Sequence, residues 1–378
     1  MKIIGVIAEY NPFHLGHVYQ IKKIRELYPN SLIIAIISTN FTERGEISVL
    51  NKWDKTQICL NNDIDLVIEL PTLYATQSAD MFAYGALKIL NDLHIDTLVF
   101  GSETDDISEL VKLAKIQLTD KKYDSLVKKY LEQGVNYPTA MSKALFDINK
   151  TTVNTPNDLL GLSYVKEIVK NNYPITPVAI KRTNDYHGKK VLSNVVNASL
   201  IRKLYFNDEN VSKYLPDDTL HYLNQNATFD NAYKFLVYCI INNRNNLDQY
   251  LTIDEGIENR ILNYINEIDN WHDLVMKIKT KRYTYNKINR MLIHILLGIK
   301  KDDNTMDTYI RVLGFNKHGM KYLNKVKKTL SLPIYSGYKE SISRVFDIEY
   351  NSTYIYSLIT NNLSLIQREY KSKPIIKD

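Results

Sequence analysis

Cysteine is almost missing: Cys59 and Cys239 are the two in 378 residues, far apart and outside any CxxC pair. That excludes a disulfide framework, gives a structural zinc site no footing and predicts a reducing compartment. No apolar run reaches the roughly 18 residues that a membrane span needs, and the opening KIIGVIAE is too short for a signal-peptide core. The chain is therefore expected to be cytoplasmic, with no membrane contact. Glycine (13) and proline (10) never gather into a linker, and no repeat or low-complexity tract occurs. With 44% hydrophobic and 24% charged residues, the composition excludes disorder and coiled coil. The length exceeds the usual single domain, so two are expected.

Charge of one sign is also in short supply, at a net +6, but it is unevenly placed. Residues 1–100 carry 8 Lys/Arg against 11 Asp/Glu, whereas residues 301–378 carry 13 against 8. A basic tail fits a polyanion partner, and it also fits a protein that binds none.

What the chain has is a series of branched apolar runs. IIGVIA (3–8), LIIAIIS (32–38), DLVIEL (65–70) and TLVFG (97–101) read as parallel strands buried on both faces. Helical stretches separate them at 16–28, 51–62 and 78–93. Strand and helix alternating at this spacing predict a doubly wound parallel α/β sheet. Helices follow at 107–118, 121–133, 139–148 and from Pro156 to Asn171, then a fifth strand at 175–182, a polar loop over 183–193 and a helix in VVNASLIRKLYF. Beyond about 206 the strand signal fades, and amphipathic segments at 230–243, 254–268, 271–281, 285–299, 306–313 and 317–330 predict an all-α second domain. The expected division is 1–205 and 206–378.

The first strand runs into AEYNPFHLGHVYQIKKI (8–24). This puts two histidines, His14 and His17, on one turn at the carboxyl edge of a parallel sheet, where open α/β folds bind ligands. Gly16 lets a phosphate approach the backbone, and the helix start offers free N–H groups. Two imidazoles three apart can both donate to phosphoryl oxygens as charge builds up in a transition state. The competing reading makes one histidine a helix cap and packs the other beside Phe13. The strand before and the α/β units after favour the catalytic reading.

NPFHLGH resembles the HxGH signature of nucleotidyltransferases and class I aminoacyl-tRNA synthetases. More narrowly, EYNPFHLGH, STNFTERGE, KWDKT, VIELPTLYATQSAD and FGSE, with IKRTNDYH, KTKRYTY and RVLGFNKHG further on, are similar to the bacterial tRNA(Met) cytidine acetate ligase family over nearly the whole chain. The resemblance implies a Rossmann-like ATP-binding fold. It also implies activation of acetate to acetyl-adenylate and transfer of the acetyl group to N4 of the wobble cytidine of elongator tRNA(Met), giving N4-acetylcytidine. It carries over His14 and His17 as catalytic residues. As ATP contacts it carries over Ile7, Ala8, Glu9, Tyr10, Asn11, Pro12, Phe13, His14, Leu15, Gly16, His17, Val18, Tyr19 and Gln20, with Gly101, Asn157 and Arg182. Mg²⁺ is expected with the ATP; no metal held by the protein itself and no protein partner are expected.

Other positions have two readings each. Arg44 in NFTERGE holds the triphosphate or the tRNA backbone, or pairs with Glu43 or Glu46. Ser199 and Arg202 occupy the superfamily's second phosphate motif, where Asn197 stands in place of serine, or they belong to an ordinary amphipathic helix. MKIKTKRYTYNKINR (276–290) interleaves Lys277, Lys279, Lys281, Arg282, Lys287 and Arg290 with Tyr283 and Tyr285. Cations suit phosphates and tyrosine rings suit unpaired bases, whereas a charge run is otherwise a solvated face. A small-molecule adenylyltransferase is the alternative activity, but it has no use for this basic stretch. An RNA-binding protein with a vestigial Rossmann-like domain would have no use for His14, Gly16 and His17.

Overall fold

The computed structural model describes all residues except 152, 183–195, 305–306, 338–342 and 372. The polar loop expected at 183–193, which includes all of TNDYH, lies outside the described residues.

The four branched runs and the fifth expected strand form β1 (Ile3–Ala8), β2 (Leu32–Ser38), β3 (Leu66–Leu70), β4 (Thr97–Ser102) and β5 (Thr176–Lys181). They pair in parallel in the order β5-β4-β1-β2-β3. Every residue of β2 and β3 is buried, which is why these runs show no alternation of polar and apolar residues. The chain steps outward from β1 through β2 to β3, then returns to the other side of β1 for β4 and β5. A crevice opens where the order reverses, beyond the carboxyl ends of β1 and β4.

The expected helices form within a few residues of their predicted bounds, including Leu15–Leu27, Lys52–Asn61, Ala79–Asp92 and Pro156–Asn171. Close packing of the last on β4 depends on Gly161, where a Cβ would fall 2.6 Å from the Phe100 ring.

The region after 206 is mainly helical, with one correction. The segment expected as a helix at 306–313 is instead strand β6 (Ile310–Asn316), which pairs antiparallel with β3 at Leu66–Phe315 and Val67–Gly314. Two short strands, β7 (Ile334–Tyr335) and β8 (Ile375–Lys377), add to β6 in parallel. The C-terminal region thus extends the N-terminal sheet. The strand wins over local helical spacing because β6 is covered on both faces: Gly314 leaves no room for a Cβ, 2.6 Å from Thr56 Cγ2, and Arg311 is buried among carboxylates.

Those carboxylates tie the halves together. Lys52 Nζ lies 3.0 Å from Glu69 on β3, 3.0 Å from Glu349 and 2.9 Å from Glu369, all fully buried. Arg311 pairs with Glu369 and lies 3.4 Å from Glu69. Glu349 and Glu369 come from helices Arg344–Ile359 and Ser364–Lys371. Such a cluster holds only while every charge is matched.

Candidate functional site

Extended backbone at His14 makes it the N-cap of helix Leu15–Leu27. Its Nδ1 accepts from the Gly16 N–H at 3.0 Å, and His17 Nδ1 accepts from the His14 N–H at 3.1 Å. This is a capping box built from two imidazoles instead of the usual hydroxyl and carboxamide. The rings stack with centroids 3.8 Å apart, and Tyr10 and Phe13 meet the His17 ring at 4.7 and 5.4 Å. The capping and catalytic readings of the pair are therefore compatible. With both Nδ1 lone pairs committed to backbone donors, each neutral ring carries its proton on Nε2, and among the described residues neither Nε2 has a hydrogen-bond partner.

Burial, then the Arg182 cation, pushes His14 down to about 3. Burial, then His14 and Arg182, pushes His17 well below the ordinary imidazole value. The pair is neutral and presents two preorganised N–H donors at a helix N-terminus, an arrangement suited to a developing negative charge.

The crevice is a cavity of about 1150 Å³. Of the residues expected from 7 to 20, its wall includes Ile7, Ala8, Glu9, Tyr10, Asn11, His14, Gly16, His17, Tyr19 and Gln20. Pro12, Phe13, Leu15 and Val18 lie off the wall, and Phe13 is fully buried beneath it. Gly101, Asn157 and Arg182 all line it as well. The Arg182 side chain lies over Gly101, 3.4 Å from where a Cβ would sit. Asn157 Nδ2 donates to Glu103 Oε1, which is 4.0 Å from Arg182 Nε. Glu103 was legible in FGSE but carried no role in the sequence reading. Its N–H donates to the buried Asp158, which also accepts from Ser102 and Thr155 and so fixes the end of β4.

Arg44, Ser199 and Arg202 also line the cavity. Arg202 donates to the Asn11 carbonyl at 2.5 Å and to Glu46 at 2.6 Å, tying helix Ala198–Phe206 to the turn before His14. Asn197 caps that helix, accepting from Leu200 N at 2.9 Å.

The sequence reading missed the anchors of the NFTERGE loop. Arg290 donates to both the carbonyl and the carboxylate of Glu43, each at 3.0 Å. Gly45, at φ +70°, sits so close to helix Tyr285–Leu297 that a Cβ would lie 2.5 Å from Arg290 N. Lys55 of KWDKT is buried and donates to the carbonyls of Glu9, Ser38 and Thr39 at 2.8–2.9 Å, clamping the ends of β1 and β2. Burial pulls its ammonium down to about 7.

The basic stretch divides. Arg282, Tyr283, Thr284, Lys287 and Arg290 line the same cavity, whereas Lys277, Lys279 and Lys281 are exposed outside it. Tyr283 is buried, with its hydroxyl on the Asp254 carbonyl at 2.8 Å and the Lys287 ammonium 4.5 Å over its ring, so that ring offers no open stacking face. Tyr285 packs near His272, with ring centroids 5.8 Å apart. The break expected at Thr280 and Thr284 is present: helix Trp271–Ile278 stops, and Thr284 caps the next by accepting from Lys287 N.

Residues 1–371 match the family described as HIGH Nucleotidyl Transferase. The chain is 38% identical to the tRNA(Met) cytidine acetate ligase of Thermoanaerobacter sp. (strain X514), with the whole of both chains covered. It is 35% identical to that of Clostridium novyi (strain NT), with 99% of each covered. Among solved structures it is similar to Thermotoga maritima TmcAL bound with alpha-thio ATP, at 27% identity and a TM-score of 0.88 over 100% of this chain and 99% of that one. Full-length likeness at this level, with the paired histidines at the sheet's reversal point, places the chain: it belongs to the tRNA(Met) cytidine acetate ligase family of the HIGH nucleotidyl transferases.

Proposed function

We propose that this protein uses ATP to convert acetate to acetyl-adenylate with release of pyrophosphate. It then transfers the acetyl group to N4 of the wobble cytidine of elongator tRNA(Met), leaving N4-acetylcytidine and AMP. The observation that carries the reading is the pair of neutral imidazoles on the cavity wall, each with Nδ1 tied to backbone. A carboxylate attacking the α-phosphorus moves negative charge onto the departing pyrophosphate and the α-phosphoryl oxygens, and two fixed N–H donors stabilise that charge without reorganising. Arg182 and Asn157 suit the nucleotide, Arg182 as a phosphate fork and Asn157 as a base or ribose contact. Arg202 and Arg44 suit the phosphates from the other wall.

The cations Arg282, Lys287 and Arg290 on that same cavity favour a tRNA substrate over the small-molecule alternative. In this reading residues 1–205 handle ATP and residues 206–378 hold the RNA, and the enzyme works in the cytoplasm beside its tRNA. Among the described residues no three His, Cys, Asp or Glu side chains are arranged to hold a metal. Mg²⁺ is expected to accompany the triphosphate, and no step here depends on a protein-held ion. Among the described residues no helix is long and apolar enough to cross a membrane.

The test is acetate-dependent exchange of labelled pyrophosphate into ATP, run without tRNA. Exchange that appears with acetate and not without it supports the reading. Exchange driven only by a larger small-molecule substrate would favour the alternative.

A further inference from the structure

The acetyl transfer needs a group to take a proton from the cytidine amine, and the histidines cannot supply it. Each has its Nδ1 lone pair engaged by a backbone N–H and a proton on Nε2, so neither ring has a free lone pair to accept with. The base must be sought among the carboxylates of the cavity wall. Among the described residues these are Glu9, Glu43, Glu46, Asp80 and Glu255. Four of them are held by a cation: Glu43 by Arg290 at 3.0 Å, Glu46 by Arg202 at 2.6 Å, Asp80 by Lys166 at 2.6 Å and Glu255 by Arg282 at 3.2 Å. Glu9 has no ion-pair partner among the described residues. Its Oε1 accepts from the Glu43 N–H at 2.6 Å, which orients the carboxyl, and Glu9 lines the cavity five residues before His14.

We propose that Glu9 is the general base of the acetyl-transfer step, accepting on Oε2 the proton lost by the cytidine N4 amine. The inference rests on the acetate-ligase reading above. The N4 lone pair attacks the acetyl carbonyl carbon, and the N–C bond forms. The tetrahedral centre collapses, the bond from carbon to the adenylate oxygen breaks, and AMP leaves with the electron pair. One N4 proton passes to Glu9 and the other stays on the amide. Burial, then the neighbouring Glu43, raises the Glu9 carboxyl to about 7, the range in which a carboxylate is both available and basic enough for this work. The charged and titratable groups facing it are Glu43, Glu46 and Arg44 from its own wall, Lys55 beneath it and Tyr164 across from it.

The experiment is single-turnover transfer from chemically prepared acetyl-adenylate to tRNA(Met), followed from pH 5.5 to 8.5. In the unaltered enzyme the rate rises through a pKa near 7, because Glu9 must lose its proton. Glu9→Gln keeps an oxygen for the Glu43 N–H and removes the base. Transfer should fall by roughly 10²- to 10⁴-fold, the usual contribution of a general base, and the rise near 7 should vanish. Glu9→Asp should keep the rise at a lower rate. A Glu9→Gln variant that transfers within threefold of the parent, or that keeps the rise because Lys55 causes it, overturns the proposal. If Glu9→Gln fails to fold, a parent profile flat between pH 6 and 8, or an aspartate variant without the rise, overturns it equally. Failure of the parent to make N4-acetylcytidine from acetate and ATP would remove the underlying reading. Success of the parent with an indifferent Glu9 removes the base alone.

Discussion

Replacing His14 separates the cap it forms from the catalytic role proposed for it, because capping uses Nδ1 and the proposed charge stabilisation uses Nε2. His14→Ala removes both. Loss of one preorganised donor to a developing oxyanion costs about 10²- to 10³-fold in kcat, or about 3–4 kcal/mol of transition-state stabilisation. Loss of an N-cap costs about 1 kcal/mol of folding stability. His14→Asn should recover the cap, since a carboxamide oxygen there accepts from Gly16 N–H as Nδ1 now does at 3.0 Å, but it puts no donor where Nε2 was. The two variants should therefore show the same deep loss in acetate-dependent pyrophosphate exchange while differing by about 1 kcal/mol in chemical denaturation. His17→Gln is the matching probe at the third helical position, where glutamine can still return a bond to the His14 N–H. Exchange within threefold of the parent in His14→Asn, in a protein that folds, would refute the assignment of Nε2 to catalysis.

Three further outcomes follow from the same geometry. Lys52→Met leaves Glu69, Glu349 and Glu369 buried with Arg311 as their one remaining cation among the described residues, so denaturation should show a loss of about 3–5 kcal/mol; a loss under 1 kcal/mol would mean the cluster does not hold the halves together. A Lys279, Lys281 and Arg282 triple alanine variant should bind tRNA more weakly, with a log–log salt slope shallower by about two units, because Arg282 is already partly neutralised by Glu255; an unchanged slope would make the run a solvated face. In ¹⁵N spectra of the ligand-free enzyme, His14 should stay neutral and protonated on Nε2 from pH 7 down to 5, since its folded pKa of about 3 lies below the ordinary 6.5. That depression also means stability is present above about 6.5 and is lost as pH falls toward 3, the unfolded chain binding the proton first. A measured His14 value above 6 would contradict the burial and the capping bond together.

The strands and their order of appearance were legible because β1 to β4 are buried on both faces and need unbroken branched runs. Strand β6 was not. Tyr309, Ile310, Val312 and Leu313 fit a helical stripe as well as a strand, and the choice is made by pairing with β3 some 240 residues earlier, which local spacing cannot report. The same limit applies to the site. His14, Gly16 and His17 form one turn and can be read together, and the family resemblance brought in Gly101, Asn157 and Arg182. That Glu103 would sit between Asn157 and Arg182, or that Arg290 would clasp Glu43, depends on contacts across 54 and 247 residues. The signals were in FGSE and NFTERGE, but nothing local said which carboxylate would have no ion pair among the described residues.

The central claim is that one active site takes acetate, ATP and tRNA to a modified cytidine, and nucleoside analysis tests it most directly. Purified protein is incubated with ATP, isotopically labelled acetate and elongator tRNA(Met), without coenzyme A. The tRNA is then digested and its nucleosides separated. Labelled N4-acetylcytidine should appear at the wobble position, with AMP and pyrophosphate formed in equal amounts. An absolute requirement for acetyl-coenzyme A with ATP hydrolysed to ADP, or labelled adenylate that never reaches the tRNA, would contradict it.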